Sequence, residues 1–368
     1  MTVRTTPPRV SKPQTAAPFA TRLLDWFDTH GRHDLPWQHP RTPYRVWVSE
    51  IMLQQTQVQT VIGYFERFLA RFPDLASLAA ADEDAVLALW SGLGYYSRAR
   101  NLRAAARQCV AEHAGDLPRS MDALCTLPGI GRSTAAAILT QAHGEPHAIL
   151  DGNVKRVLTR LIGEPAWPGQ RAIEQRLWAE AEARLPAQRL ADYTQALMDF
   201  GATLCTPRRP RCDECPMRGE CGAFAQNAVA QIPGRKPTKA TPTRSTRMLI
   251  ARDSLGRVLL ERRSGKGVWQ GLWSLPEAED AASIATLQTA LGAGAGTPLP
   301  EFTHVFSHYR LRISPSLHFV NETKGARSSS EAATDSTIDG PQRRWVAASD
   351  YDAVGLPRPV RTLLESLP

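Results

Sequence analysis

Apolar residues recur at every third or fourth position along the N-terminal part of the chain. Between Val58 and Phe72 they stand at Val58, Val61, Ile62, Phe65, Phe68, Leu69 and Phe72, which is one face of an amphipathic helix. The same period predicts helices over Asp82–Leu89, Ser97–Ala114, Ser120–Thr126, Arg132–His143, Gly152–Ile162, Gln170–Leu185 and Ala187–Leu204. From Phe19 to Phe224 the pattern is therefore helical. Thr42-Pro43 marks another helix start, an N-cap residue followed by proline at the first helical position. That helix carries Val46, Trp47, Glu50 and Leu53 on neighbouring turns. It places one carboxylate inside the apolar run Ser49-Glu50-Ile51-Met52-Leu53, with Gln54, Gln55 and Gln57 behind it. A core helix would not select that Glu, and a solvated helix would not select the Ile, Met and Leu.

The period changes after Gln231–Ser245, a stretch of prolines, basic residues and hydroxyls that reads as an exposed linker. Beyond it, Arg247–Ala251 and Arg257–Arg262 predict strands joined by a turn at Asp253–Gly256. Ala281–Leu291 predicts a helix, Phe302–His308 and Tyr309–Val320 strands, Arg344–Val346 a short strand and Val360–Leu367 a last helix. Asn321–Gly340 is polar and predicts a mobile loop. The expected division is a disordered tail at 1–18, an all-α domain at 19–230, a linker at 231–245 and a smaller α+β domain at 246–368. No internal repeat is found.

Charge adds a partner class. Forty-four Lys and Arg against 36 Asp and Glu leave a net charge of +8, which suits an anionic partner such as nucleic acid. No apolar run reaches the roughly 18 residues that a membrane helix needs. Met1–Pro18 lacks the apolar core of a secretory signal. The expectation is a cytoplasmic, bacterial, nucleoid-associated monomer. Of six cysteines, Cys109 and Cys125 stand alone in helical segments, as buried thiols do. Cys205, Cys212, Cys215 and Cys221 fall in a C-x6-C-x2-C-x5-C pattern, which is a metal framework in a reducing compartment. Zinc and an iron–sulfur cluster both remain open on spacing alone.

Three further segments carry candidate chemistry. Leu127-Pro-Gly-Ile-Gly-Arg-Ser-Thr134 lies between two helices, and Gly129 and Gly131 allow a tight turn whose N–H groups, with Ser133 and the next helix N-terminus, can hold a DNA phosphate. Asp151, in Ile149-Leu-Asp-Gly-Asn-Val154, reads as a helix N-cap. A helix N-terminus favours an ionised aspartate, and such a carboxylate can stabilise developing positive charge. Gly92-Leu-Gly-Tyr-Tyr-Ser-Arg-Ala-Arg-Asn101 sets aromatics at a glycine-bounded turn before arginines, which suits base stacking with phosphate contact. An acid, a cation-stabilising carboxylate, a phosphate-binding hairpin and a stacking turn together describe an enzyme that cleaves at a DNA base. Such an enzyme flips its nucleotide out of the stack.

These motifs, together with Leu35-Pro36-Trp37, resemble those of the MutY-type adenine DNA glycosylases of the helix-hairpin-helix superfamily, from about Leu23 to Cys221. The resemblance implies excision of adenine mispaired with 8-oxoguanine or guanine in duplex DNA. It implies Glu50 as the acid that protonates adenine N7, Asp151 as stabiliser of the oxocarbenium ion, and Asn153 as support for that carboxylate. Gln54, Gln55 and Tyr95 would lie at the lesion, and the four cysteines would hold a [4Fe–4S] cluster. The chemistry agrees, because adenine leaves as a neutral base only once protonated, and a Glu on an apolar face has its pKa raised by desolvation. Gly267–Glu277 resembles the start of a Nudix fold. The following helix, Ala281–Leu291, has no carboxylate to bind magnesium, so a recognition module is expected, with Phe306-Ser307-His308 at 8-oxoguanine. Two alternatives stand beside this reading. One is an endonuclease III-like glycosylase and lyase on oxidised pyrimidines, which would carry a lysine where Ser133 stands. The other is a non-enzymatic damaged-DNA binder with structural zinc.

Overall fold

The computed structural model describes residues 18–237, 241–265, 267–320 and 342–367. The expected tail up to residue 17 and the polar segment 321–340 lie outside the described residues. The chain forms two compact units, each assembled from two stretches. One combines the described parts of Met1–Val46 with Arg132–Lys236, and the other combines Trp47–Gly131 with the described parts of Pro237–Pro368.

In chain order the helices are α1 (Phe19–His30), α2 (Pro43–Leu53), α3 (Val58–Arg71), α4 (Leu75–Ala80), α5 (Glu83–Trp90), α6 (Ser97–Glu112), α7 (Met121–Thr126), α8 (Arg132–His143), α9 (Gly152–Leu161), α10 (Arg171–Glu182), α11 (Leu190–Asp199) and α12 (Gly222–Ala225). The expected caps form. Thr42 Oγ1 accepts the N–H of Arg45 at 3.3 Å, and α3 buries the predicted stripe through Val61, Phe65 and Phe68. One expected helix, Ala187–Leu204, is interrupted. Its α-helical part is α11, and Phe200–Leu204 is a π-helical turn. Single π turns of this kind frequently mark functional sites, and this one leads straight into Cys205.

The sheet region contains β1 (Thr243–Arg252), β2 (Val258–Arg262), β3 (Trp273–Ser274), β4 (Glu277–Ala278), α13 (Ala281–Ala290), β5 (Thr297–Pro298), β6 (Phe302–Val305), β7 (Arg310–Phe319), β8 (Arg343–Val346) and α14 (Arg358–Glu365). The sheet is mixed. β1 and β7 run parallel, from Thr243 opposite Arg310 to Arg252 opposite Phe319, and β2, β4, β6 and β8 add antiparallel pairs. Helix α13 covers one face through Ile284 and Leu287, which pack on Leu249, Ala251 and Leu259. The expected strand Phe302–His308 stops at Val305. There the Phe306 N–H bonds to Tyr309 O at 2.9 Å and closes a hairpin with Ser307-His308 at its tip.

Within the second unit the sheet region is fastened to α5 and α6. The Trp273 indole donates to Asp84 at 3.0 Å, Arg262 pairs with Asp84 at 3.3 Å, and Arg100 donates to Gln270 O at 2.6 Å. Ser91 Oγ and the Tyr96 hydroxyl both donate to Leu356 O at 3.0 Å. The α5–α6 turn is thus held from the sheet side.

Candidate active site

Glu50 lies half-buried on α2, among the buried residues Trp47, Val48, Ser49, Ile51 and Met52. The helix ends at Leu53. Gln54 and Gln55 form the turn beyond it, and Gln55 has φ +58°. A non-glycine residue in the left-handed region is uncommon and needs support from its surroundings. The Gly92–Tyr95 turn shows the same feature, with Tyr95 at φ +49°. Its two tyrosines divide. Tyr96 is 4% exposed and belongs to the core, whereas Tyr95 is 45% exposed.

Arg98 connects these two turns. Its guanidinium lies within hydrogen-bond distance of six acceptor oxygens: the carbonyls of Ile51 (2.8 Å), Met52 (2.9 Å), Gln54 (2.5 Å), Leu93 (3.3 Å) and Gly94 (3.1 Å), and Thr56 Oγ1 (3.3 Å). It also sits over the rings of Trp90 and Tyr95. Burial pushes its pKa down to about 10. The expectation that the arginines after Tyr96 meet phosphate is corrected here. Arg98 is 7% exposed and faces inward, and Arg100 donates to Gln270 O. The helical period carried the signal, because Arg98 shares its face with the buried Leu102, Ala105, Ala106 and Cys109.

The hairpin turn runs from Leu127 to Gly131. Gly129 has φ +80°, and an added Cβ would come within 2.9 Å of Asn101 Cβ. Gly131 has an ordinary φ, and a Cβ there would meet nothing within 4 Å, so its backbone lies open to a close approach.

In the other unit, Asp151 caps α9, with Oδ1 accepting the Val154 N–H at 2.7 Å. Contrary to the expectation that the helix terminus decides its ionisation, burial wins and raises its pKa. The N–H groups of Val154 and Asn153 and the charges of Arg156 and Lys155 oppose that rise. Ser133 Oγ accepts the Leu150 N–H at 3.0 Å and so steadies the segment just before Asp151. Asn153 Oδ1 accepts from Arg156 at 3.0 Å, and Arg156 also reaches Gly201 O at 2.7 Å and Cys205 O at 2.9 Å. The π turn approaches so closely that a Cβ on Gly201 would lie 2.7 Å from Asn153 Cβ. Lys155 is paired with Glu174 at 2.6 Å.

All four cysteines of the loop are reduced. Arg160 anchors the loop by donating to Thr206 O (2.8 Å), Cys205 Sγ (3.4 Å), Pro207 O (3.2 Å) and, from Nε, Ile232 O (2.8 Å). Burial pushes the Cys215 thiol up to about 12, and Cys205, Cys221 and Cys212 add to the rise. Burial, with the neighbouring sulfurs adding to it, opposes ionisation of Cys212, Cys215 and Cys221, so a cationic centre would be needed to hold them as thiolates. Four cysteine sulfurs on one loop, with no imidazole among them, are a donor set that fits an iron–sulfur cluster. Arg208 and Arg209 in the first loop are exposed.

At the hairpin tip, Phe306 is anchored against His304 and Tyr309 (ring centroids 4.6 Å from each) and Trp269 (5.2 Å). Ser307 and His308 are exposed, with Ser307 Oγ 3.3 Å from His308 Nδ1.

Three family models match the chain. The family model of HhH-GPD superfamily base excision DNA repair proteins matches residues 48–183, that of the iron–sulfur binding domain of endonuclease III matches 205–221, and that of the NUDIX domain matches 247–366. The chain is 34% identical over 352 residues to an adenine DNA glycosylase of Buchnera aphidicola subsp. Schizaphis graminum, covering 94% of this chain and 98% of that one. It is 36% identical over 358 residues to the adenine DNA glycosylase of Homo sapiens, covering 80% of this chain and 65% of that protein. Among solved structures, a thermostable thymine-DNA glycosylase aligns with a TM-score of 0.52 at 30% identity, over 56% of this chain and 95% of that one.

Proposed function

The chain belongs to the adenine DNA glycosylases, base-excision repair enzymes that act on DNA, and from that premise we propose that it removes adenine paired with 8-oxoguanine or guanine and leaves an abasic site without cutting the strand. The observation that carries the proposal is the chemistry around α9. Asp151 is a half-buried carboxylate fixed at a helix N-terminus, and Ser133 stands at the hairpin position where a lyase would carry its amine nucleophile.

The reaction needs two groups. Glu50 donates a proton to adenine N7, so that the base leaves neutral as the glycosidic bond breaks. The negative charge of Asp151 would stabilise the resulting sugar cation, as one carboxylate of a glycosidase does. Asn153, held by Arg156, fixes the N-terminal turn that Asp151 caps. Water completes the sugar, with Glu50 now able to accept its proton. Strand cleavage would need an amine to attack the abasic aldehyde. Ser133 occupies the hairpin position and is engaged with Leu150, and the Lys155 ammonium is engaged with Glu174. Both observations support a monofunctional enzyme.

Cys205, Cys212, Cys215 and Cys221 hold the [4Fe–4S] cluster. The bound cluster supplies cross-linking of the loop, and through Arg160 and Arg156 that loop supports the helix carrying Asp151. Gln54, Gln55 and Tyr95 occupy the space at the lesion, Gly129, Gly131 and Ser133 belong to the phosphate-binding hairpin, and Phe306-Ser307-His308 reads 8-oxoguanine. Helix α13 has no acidic side chain, so the Nudix-like fold serves recognition rather than pyrophosphate hydrolysis. With DNA as substrate, the nucleoid is the expected place of action.

The test is release of free base from duplexes that differ only in the mispair. Adenine should be released opposite 8-oxoguanine and opposite guanine, and not opposite thymine. Release of an oxidised pyrimidine with no adenine from any duplex would overturn the assignment in favour of an endonuclease III-like activity.

A further inference from the structure

We infer that Arg98 is a positioning residue that sets the Glu50 helix and the Tyr95 turn in one fixed arrangement, and so determines whether the enzyme can hold a flipped nucleotide. The inference rests on the proposed reading of Gln54, Gln55 and Tyr95 as lesion residues.

Three elements meet at this one side chain. The Ile51 and Met52 carbonyls belong to the last turn of α2, where helix carbonyls lack intrahelical partners. A cation there satisfies them and complements the helix dipole. The Gln54 carbonyl and the Thr56 hydroxyl belong to the turn that follows, and the Leu93 and Gly94 carbonyls to the turn that presents Tyr95. The two turns are some 40 residues apart in sequence, and each places a non-glycine residue at positive φ, Gln55 at +58° and Tyr95 at +49°. Left-handed backbone at such positions persists only where the surroundings fix it. The fork of a guanidinium can meet acceptors in several directions from a rigid plane, whereas an ammonium is a single point. Arg98 is also 7% exposed and has no carboxylate among its hydrogen-bond partners. Among the described residues its hydrogen bonds go to backbone carbonyls and one hydroxyl, with the Trp90 and Tyr95 rings beside it, and burying a charge in this way is costly unless the geometry it fixes is needed. The same turn is also held by Ser91 and Tyr96 on Leu356 O, and Arg98 joins it to the last turn of the Glu50 helix.

The experiment compares Arg98→Lys with the native enzyme on an 8-oxoguanine:adenine duplex. Active-site titration gives the fraction of competent enzyme, and single-turnover excision then gives the rate per competent site. Affinity is measured on a non-cleavable duplex. Fluorescence of 2-aminopurine in place of the target adenine reports its removal from the stack. The expected result is a rate per competent site lower by about tenfold or more, a weaker unstacking signal, and affinity changed by no more than a few-fold. Tyr95→Ala should lower the rate in the native background and add little in the Arg98→Lys background, because contacting groups that work as one unit do not add.

Gly94→Ala guards against misfolding of the Lys variant. Gly94 has φ +73° and a Cβ there meets nothing within 4 Å, so alanine strains the Tyr95 turn without a clash and leaves Arg98 in place. It should reproduce the loss of unstacking. A lower competent fraction or Tm with an unchanged rate per site and unchanged fluorescence, in Arg98→Lys or in Gly94→Ala, would show a purely structural role and overturn the inference. If Tyr95→Ala and Gln55→Ala leave excision unchanged with Arg98 intact, the failure lies in the reading of the lesion residues instead.

Discussion

The N-terminus of α9 and the pair of turns around Arg98 are fixed in different ways. The first is regular structure with several supports. Asp151 caps its own helix, Ser133 steadies the preceding segment, and Arg156 reaches Asn153, Gly201 and Cys205. The second is irregular backbone with residues at positive φ, and one arginine joins its parts. The difference teaches where substitutions will separate chemistry from position. At α9, changing the reacting group should remove activity and leave the scaffold intact. At the turns, changing the support should move groups that remain chemically competent.

The largest effect expected is at Glu50. Glu50→Gln keeps shape and hydrogen bonding but has no proton to give, so single-turnover excision should fall by roughly 10²–10⁴-fold while duplex affinity in a titration holds. Normal turnover would remove Glu50 from the mechanism. Next comes Asp151→Asn, with an expected rate loss of about 10²–10³-fold, the size found when a charge-stabilising group is removed. Here stability sharpens the comparison. The folded pKa of Asp151 is raised above its ordinary 3.8, so its contribution to stability is full below that value and is lost as pH rises through the folded pKa. Near neutral pH the ionised group costs stability, and Asn caps a helix about as well as Asp. Thermal unfolding at neutral pH should show Asp151→Asn at least as stable as the native enzyme. A clear drop in Tm would mean that the charge supports the fold.

A smaller loss is expected for Gly201→Ala. Its Cβ would press on Asn153 at 2.7 Å, but the other supports of the α9 terminus remain, so excision should fall by about tenfold rather than vanish. Complete inactivity of folded, cluster-loaded enzyme would break the claim that the supports are redundant. The smallest effect is at the β6–β7 tip. Ser307→Ala should narrow the rate preference for 8-oxoguanine over guanine by a few-fold, as loss of one hydrogen bond worth about 1 kcal/mol would. Excision from the guanine mispair should not change. An equal loss on both substrates would assign Ser307 to general DNA contact.

Much of this arrangement was legible in the sequence, for physical reasons that differ by region. The period of 3.6 exposes a helix such as α3, because a buried stripe must repeat with the helix. Thr42 and Asp151 were readable because capping is a local property of a few residues. Arg98 was misread, since its acceptors at 51–56 are distant in sequence and an arginine after an aromatic turn looks solvated. The π turn at Phe200–Leu204 was also hidden, because it depends on the fit of Gly201 against Asn153 rather than on local propensity. The strand expected to reach His308 ends earlier, at Val305, because β propensity runs through Phe306 while the Phe306–Tyr309 bond that turns the chain does not show in composition.

The most direct test of the central claim is excision from a labelled duplex holding adenine opposite 8-oxoguanine, with each reaction read with and without alkali. A monofunctional glycosylase predicts a cut strand only after alkali, because the enzyme leaves an intact abasic backbone. Cutting without alkali would contradict the account and would point to an amine such as Lys155 acting as a lyase nucleophile.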